Sequence, residues 1–500
     1  MLNLLIAIPI VAASAILLGA CAKKTALLAT ALNLLLTLSL VFGYNQQSPE
    51  KYQFTSSVLL APEWKLAFSL GVDGLSLLML LLTGIVGLAA VWVAPHPEKL
   101  ERYPGLYYAC LMFIIAGATG AFASLDLFFF YAFHELALIP TFLMIGIWGS
   151  GDRITAAWKI TLYLALGSFV LLIGLLALYF SIPNEAARTF SIPALQALAL
   201  QGGIPQTPWI YLTLLIGFGI LISLFPFHTW APQAYASAPA PAAMLHAGVL
   251  KKFGLYGLLR VALPLLPGAA QHWTHLLLFL LAGNILYVGL VTIAQKRLDS
   301  MLGYSSVMHM GYIFLGIAAF NPLGLSGAAL LMFAHGLSIA ALFALAGAVR
   351  QRTGGLEFSK LGGLAKPMPF LGFTFGLAAF ASIGLPGFGN FAAELPIFFG
   401  AFSHAGKSLA FSNFQITTII ALWGVVISAV YMLRGYRAAF LGETDKRWTG
   451  LSDLCACARP AILLLLAVLL VAGFRPQLFL NLVTPTIKAV LSVPAQVSAK

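Results

Sequence analysis

Eight ionisable side chains fall inside stretches of this sequence that are otherwise apolar: Glu135, His228, His246, Lys251, Lys252, His309, His335 and Glu394. Glu135, for example, follows Phe128-Phe129-Phe130-Tyr131-Ala132-Phe133-His134. A charge at the centre of a membrane helix costs about 2.5–3.5 kcal/mol or more, so such residues need a reason to be there. Along the chain they run acid, base, histidine, acid. Burial favours the neutral form of such groups, and a facing opposite charge favours the charged form. Glu135 and Lys252 can therefore be poised so that one proton, or one nearby charge, flips their state. Histidine accepts and donates near neutral pH, which suits relay positions between them. Together these are the parts of a proton path, ionisable stations joined by water. Simpler readings exist one by one. Glu135 and Lys252 could be a static ion pair, His246 could only bond a backbone carbonyl, and His309, after Tyr304-Ser305-Ser306, could be structural. As a set they are hard to explain as glue.

The elements that hold them follow from composition. The chain has 500 residues, 61% hydrophobic and 8% charged, against about 25% charged in soluble domains. Its apolar runs are about 20 residues long, enough to cross a bilayer as helices. Runs such as Ile160–Phe180 do not alternate as barrel strands would. Roughly fourteen spans are expected, near residues 2–20, 25–44, 72–95, 106–123, 125–148, 156–181, 208–235, 241–264, 273–294, 299–321, 324–349, 367–402, 413–441 and 459–483. The expected fold is an all-α polytopic membrane protein. Its longest polar connections, near 45–70, 182–207 and 442–458, are too short for a soluble domain. Leu18-Gly19-Ala20-Cys21 has the look of a lipoprotein cleavage box. Met1 to Ala20 carries no Lys or Arg, so the segment reads as the first span instead.

Two spans are interrupted. The seventh contains Ser223-Leu224-Phe225-Pro226-Phe227-His228 and the twelfth Gly384-Leu385-Pro386-Gly387-Phe388-Gly389-Asn390. Proline removes a helix hydrogen bond and glycine permits the break. The interruptions lie five spans apart, which suggests two inverted five-helix repeats with broken helices at mid-membrane. The implied organisation is 1–105 for the first three helices, 106–265 and 266–441 for the repeats, and 442–500 for a loop and last helix.

The formal charge of +12 is placed for a membrane and not for nucleic acid. Lys and Arg crowd the connections after odd-numbered spans, from Lys23 and Lys24 through Lys99, Arg153, Arg297, Arg350 and Arg434 to Arg459. The other side holds Lys51, Lys65, Arg188, Arg260 and Lys407, with Arg475, Lys488 and Lys500 in the tail. Cations favour the cytoplasmic side, so both termini are expected outside the cytoplasm. No basic face interleaves with aromatics as a strand-binding groove would. Cys21, Cys110, Cys455 and Cys457 include no Cys-x-x-Cys pair, and no dinucleotide fingerprint follows a strand. Any electron transfer linked to this chain is expected to run elsewhere.

The same residues carry a resemblance over nearly the whole chain. It resembles the antiporter-like proton-channel subunits of respiratory complex I, above all the NADH dehydrogenase subunit 4 or chain M family. The matching stretches are Gly71-Val72-Asp73-Gly74-Leu75-Ser76, Phe133-His134-Glu135 through Ile139-Pro140, Pro226-Phe227-His228-Thr229-Trp230-Ala231-Pro232 and Ser237-Ala238-Pro239. Gly248-Val249-Leu250-Lys251-Lys252 with Tyr256-Gly257, Tyr304-Ser305-Ser306-Val307 with His309-Met310-Gly311, Ala334-His335-Gly336, and Gly387 through Glu394 continue the series. The resemblance implies that Glu135 couples to a neighbouring subunit, that Lys252, His309 and His335 form the central axis, and that Glu394 ends it. A glutamate at the twelfth span, and the absence of a long lateral helix, point to subunit 4 over its subunit 5 and subunit 2 relatives.

The function so implied is proton translocation as a membrane subunit of NADH:quinone oxidoreductase. Neighbouring antiporter-like subunits would be partners in a bacterial cytoplasmic membrane. NADH, FMN, iron–sulfur clusters and quinone would be held elsewhere in the complex, with no cofactor or metal in this chain. A multisubunit cation/proton antiporter or an energy-converting hydrogenase would use the same scaffold; a solute transporter is a more distant alternative.

Two departures stand out. The family places a lysine where this chain has Leu221, in a Lys-x-Pro setting where this chain has Ser223. Lys251 and His246 are candidates for covering that loss, and an ion pair of Glu135 with Lys251 or Lys252 is expected. Successive helix residues point about 100° apart, so the two lysines cannot both face one partner. Arg297 and Asp299 reverse the order of the family's acid and base, which preserves a local ion pair.

Overall fold

The computed structural model describes residues 1–48, 50–404 and 411–497, with backbone alone from 493. Lys407 and Lys500, counted above on the cation-poor side, lie outside these residues. Among the described residues nine helices are long and apolar enough to cross a membrane, and a bent pair, Arg459–Phe474 with Gln477–Ser492, makes up to ten. Leu2–Leu17, Pro208–Ile222 and Pro369–Ile383 are shorter apolar helices. Several of the long helices have starts sealed by side chains that take up the first free amides. Asp73 accepts from Ser76 N, Asp126 from Phe128 N and Phe129 N, and Asn321 from Gly324 N.

Gly74–Val93 and Pro322–Thr353 form the buried centre. Leu127–Trp148, Arg153–Ser181 and Asn413–Phe440 lie outside it and turn apolar side chains such as Ile139, Phe169 and Trp423 outward. Exposed apolar faces on helices of this length suit a lipid or subunit boundary.

Both interruptions read from the sequence are present. Pro208–Ile222 stops at Ser223, whose φ of 69° is left-handed, and Trp230–Ser237 resumes beyond it. Pro369–Ile383 stops at Gly384, φ 84°, and Gly389–Phe402 resumes. The chain from Ala240 to Leu265 is one helical course with two π turns, His246–Leu250 and Leu258–Ala262. A third π turn spans Gly283–Tyr287. Nothing in the apolar periodicity marks these turns.

The all-α expectation needs two corrections. The connection near 45–70 holds an antiparallel hairpin, Gln53–Ala61 paired with Leu66–Val72. Its strands alternate only briefly and irregularly, which hides them in a polar connection. The last expected span ends at Phe474; the chain bends by 71° into Gln477–Val497. That helix returns against the first turn of Gly74–Val93, where Gly74 leaves room for the Leu482 carbonyl. At the opposite end the cation-rich connections bind one another. Lys23 donates to Ala94 O, Arg350 to Ser150 Oγ, and Arg352 to the Ser452 and Asp453 carbonyls. Asp299 accepts from both Arg297 and Arg350, so the reversed pair does form.

Candidate functional site

Close helix approach builds the centre of the site. Gly248 and Gly336 face each other, and a Cβ on Gly336 would stand 2.6 Å from the Gly248 carbonyl. Small residues at a helix contact let backbones meet. Here they bring Lys252 and His335, 83 residues apart, to 3.0 Å between Nζ and Nδ1. Lys252 Nζ also donates to Ala247 O at 2.7 Å. Both side chains are fully buried. Lys251 points elsewhere, as the helical rotation requires. Its Nζ lies 3.5 Å from Ser306 Oγ and 5.7 Å from the centre of the Tyr235 ring.

The line continues through two histidines whose ring centres are 5.5 Å apart, His335 and His309. His309 Nδ1 faces Ser305 O at 2.8 Å and Nε2 faces Ser382 O at 2.9 Å. Carbonyls only accept. A neutral ring satisfies one of them and an imidazolium both, so a proton delivered to His309 is held by two acceptors. Ser382 is two residues before the Gly384 break, and Glu394 lies against that break. A Cβ at Gly384 would come 2.5 Å from Glu394 Oε2, so glycine is required there by space as well as by φ. Tyr312 stands between the two ends, edge-on to His309 at 5.5 Å and to Phe398, one turn beyond Glu394, at 5.7 Å. Tyr431 Oη bonds Ser305 Oγ at 2.8 Å. The motifs did not single out Tyr312, Tyr431 or Ser305 individually, because only spatial packing joins them to the histidines.

A cavity of about 950 Å³ opens among the cation-rich connections, with Lys99, Asp299, Arg350, Phe343 and Tyr235 in its wall. Tyr235 Oη reaches His246 Nδ1 at 3.2 Å. Tyr235 therefore joins the cavity to His246 on one side and to Lys251 on the other. His228 is buried beside the first interruption, its ring stacked 5.7 Å from Phe225.

Glu135 does not pair with either lysine. Its ion-pair partner is His134, 3.6 Å away, and its side chain is 36% exposed on the outer face. Phe253, the residue after Lys252, meets the Glu135 helix instead. It stacks on Phe130 at 4.3 Å and on His134 at 4.0 Å. Leu221, in place of the family lysine, is buried against Gly167.

Two further groups carry geometry that the sequence did not disclose. Arg260, counted above as a cation of the outer side, is buried and makes a two-pronged ion pair with Asp73. Tyr52, Tyr256 and Ser76 complete its bonds at 3.1, 3.1 and 2.8 Å. Asn284 is fully buried beside the first interruption. Cys455 and Cys457 are joined by a disulfide. Among the described residues no group of three or more His, Cys, Asp or Glu could hold a metal. Several buried polar atoms have no protein partner, among them His246 Nε2, Tyr312 Oη, Asn390 Oδ1 and Glu394 Oε1.

Residues 124–421 match the family model described as NADH:quinone oxidoreductase/Mrp antiporter, TM; this range holds all eight ionisable residues. An NAD(P)H-quinone oxidoreductase chain 4 from Thermosynechococcus vestitus is 39% identical over 80% of this chain and 73% of its own length. NADH-quinone oxidoreductase subunit M of Rickettsia felis is 33% identical over 93% of this chain and 91% of its own. A chain of respiratory complex I from Thermus thermophilus superposes with a TM-score of 0.86 and 28% identity, covering 99% of each chain. A chain of the Mrp complex from Dietzia shares the fold, with a TM-score of 0.83 at 23% identity, covering 99% of this chain and 98% of its own.

Proposed function

The chain belongs to the NADH:quinone oxidoreductase/Mrp antiporter transmembrane family, and on that premise we propose that it is the chain 4 or subunit M type of proton-translocating subunit in an NADH:quinone oxidoreductase. The observation that carries this reading is the line of buried ionisable side chains, Lys252 to His335 at 3.0 Å and on to His309, set in an apolar interior. A proton from the cation-rich side reaches the cavity, passes Tyr235, which His246 flanks, to Lys251, and continues through Lys252, His335 and His309. Tyr312 and Tyr431 carry it on towards Glu394. Buried polar atoms are satisfied by protein or by ordered water. The free atoms of His246, Tyr312, Asn390 and Glu394 are therefore where water would complete the chain. His228 lies at the interruption that flanks this line.

Electron transfer in other subunits, which hold NADH, FMN, iron–sulfur clusters and quinone, drives these steps; this chain has no redox centre of its own. Neighbouring antiporter-like subunits are its partners. Glu135, half outward beside exposed Phe128 and Ile139, is where one of them would sense or set the charge. The architecture in this reading is fourteen crossings with inverted repeats at 106–265 and 266–441, supported by two interruptions that each begin with a left-handed residue. The termini lie outside the cytoplasm of a bacterial cell, in its cytoplasmic membrane. In support, Asn3 bonds Ser56 of the hairpin and Gln477–Val497 returns to the same end.

The test begins with the tagged chain, which is expected to co-purify with subunits that oxidise NADH and reduce quinone. Co-purification with antiporter subunits lacking NADH oxidation would overturn the assignment. In the same complex Lys251→Ala is expected to slow proton uptake from the cation-rich side by about 10²-fold, with assembly intact. Unchanged uptake would remove Lys251 from the path.

A further inference from the structure

We propose that Asn284 is a positioning residue of the proton path, the pin that ties the interruption at Ser223–Phe225 to the helix segment bearing Ser306 and His309. The inference rests on the proton-conducting reading above. A helix that stops inside a protein leaves carbonyls and amides without partners. The end of Pro208–Ile222 is such a place. Asn284 Oδ1 accepts from Phe225 N at 2.7 Å, and its Nδ2 donates to Ser223 O at 3.1 Å. One side chain thus bridges both sides of the gap. The second amide proton goes to Val307 O, at 3.0 Å, on the separate helix Leu298–Ala319.

A carboxamide is the neutral side chain with an acceptor and two donors, and here three different backbone groups use them. Val307 follows Ser306, which faces Lys251 Nζ, and precedes His309 by two residues. Any movement of Ser223–Phe225 is therefore transmitted to the backbone beside Lys251 and His309. The surroundings fit a guided joint. Asn284 sits in the π turn Gly283–Tyr287, and π turns occur often at functional sites. Gly283 leaves room for the Phe225 ring, which a Cβ would meet at 2.6 Å. Tyr287 holds Phe225 edge-on at 5.5 Å and lies 6.0 Å from the His228 ring. The π turn of one helix thus grips both the interruption and its histidine.

A residue that only sealed the helix end would affect the amount of complex and nothing else. A positioning residue also changes how protons move. The experiment uses membrane vesicles containing the whole complex, with Asn284→Ala, Asn284→Asp or Lys252→Ala. NADH-driven proton uptake per electron is measured against pH, with NADH oxidation by an artificial acceptor reporting assembled complex. Asn284→Ala is expected to lower the proton-to-electron ratio. It should also move the pH of half-maximal uptake by about one unit, the roughly tenfold change expected when one buried hydrogen bond, that of Lys251 to Ser306, is displaced. Asn284→Asp, whose buried acid keeps the acceptor and one donor, is expected to lie between Ala and wild type. Wild-type ratio and pH profile in the variants that assemble would overturn the inference, as would failure of both variants to assemble. If Lys252→Ala also leaves uptake unchanged, the proton-conducting reading itself fails. If Lys252→Ala stops uptake and the Asn284 variants do not disturb it, only the role of Asn284 is lost.

Discussion

Arg260→Ala is expected to destabilise the end of the protein that holds the β-hairpin by about 3–5 kcal/mol, the cost of leaving one buried charge unpaired. Asp73 would remain fully buried without its guanidinium. Tyr52, Tyr256 and Ser76 would each lose a donor as well. The damage would spread because the cluster joins distant parts of the chain. Tyr52 also bonds Gln196, and Gln196 reaches back to the Arg260 carbonyl. The same Asp73 caps Gly74–Val93, the central buried helix. The expected result is a marked fall in the melting temperature of the solubilised complex and in its abundance in membranes. Replacing both partners, Asp73→Leu with Arg260→Met, is expected to be milder than Arg260→Ala alone, since no lone charge remains. Equal stability of Arg260→Ala and wild type would mean that the pair contributes nothing.

Much of the line of buried ionisable residues was legible because membranes leave few explanations for a buried charge. Lys252, His309, His335 and Glu394 stand out in the sequence on composition alone, and the structure brings the first three into one line. The two interruptions were legible because proline is flanked there by Ser223 or by several glycines, whereas a single proline such as Pro140 stays inside an unbroken helix. What was hidden depends on contacts between distant residues. Asp73 and Arg260 are 187 positions apart, and Arg260 in isolation reads as a loop cation. Asn284 has no charge and breaks no pattern, so its three bonds have no signal in a single sequence. Glu135 was legible as an acid within an apolar span, but neither its 36% exposure nor its partner was. Whether a lysine or Phe253 faces Leu127–Trp148 turns on one step of helical rotation. The hairpin was missed because its strands alternate poorly and pair irregularly, and the bend after Phe474 because a continuous apolar run does not reveal a change of direction.

Lys252→Ala is expected to have the largest effect on function. Its Nζ is the only lysine nitrogen within hydrogen-bonding reach of His335 among the described residues, and Lys251 is turned to Ser306 instead. Alanine also leaves the Ala247 carbonyl and His335 without their shared donor. Loss of a positioned proton-transfer group slows such steps by about 10²–10⁴-fold, enough to close this route on the timescale of turnover. The interior contact would survive, since Gly248 and Gly336 meet through their backbones, so the complex should still assemble. The decisive measurement is the number of protons moved per electron during NADH oxidation, in vesicles holding equal amounts of wild-type and Lys252→Ala complex. A ratio lowered by the whole share of this subunit is the expected result. An unchanged ratio in fully assembled Lys252→Ala complex would contradict proton conduction through this chain.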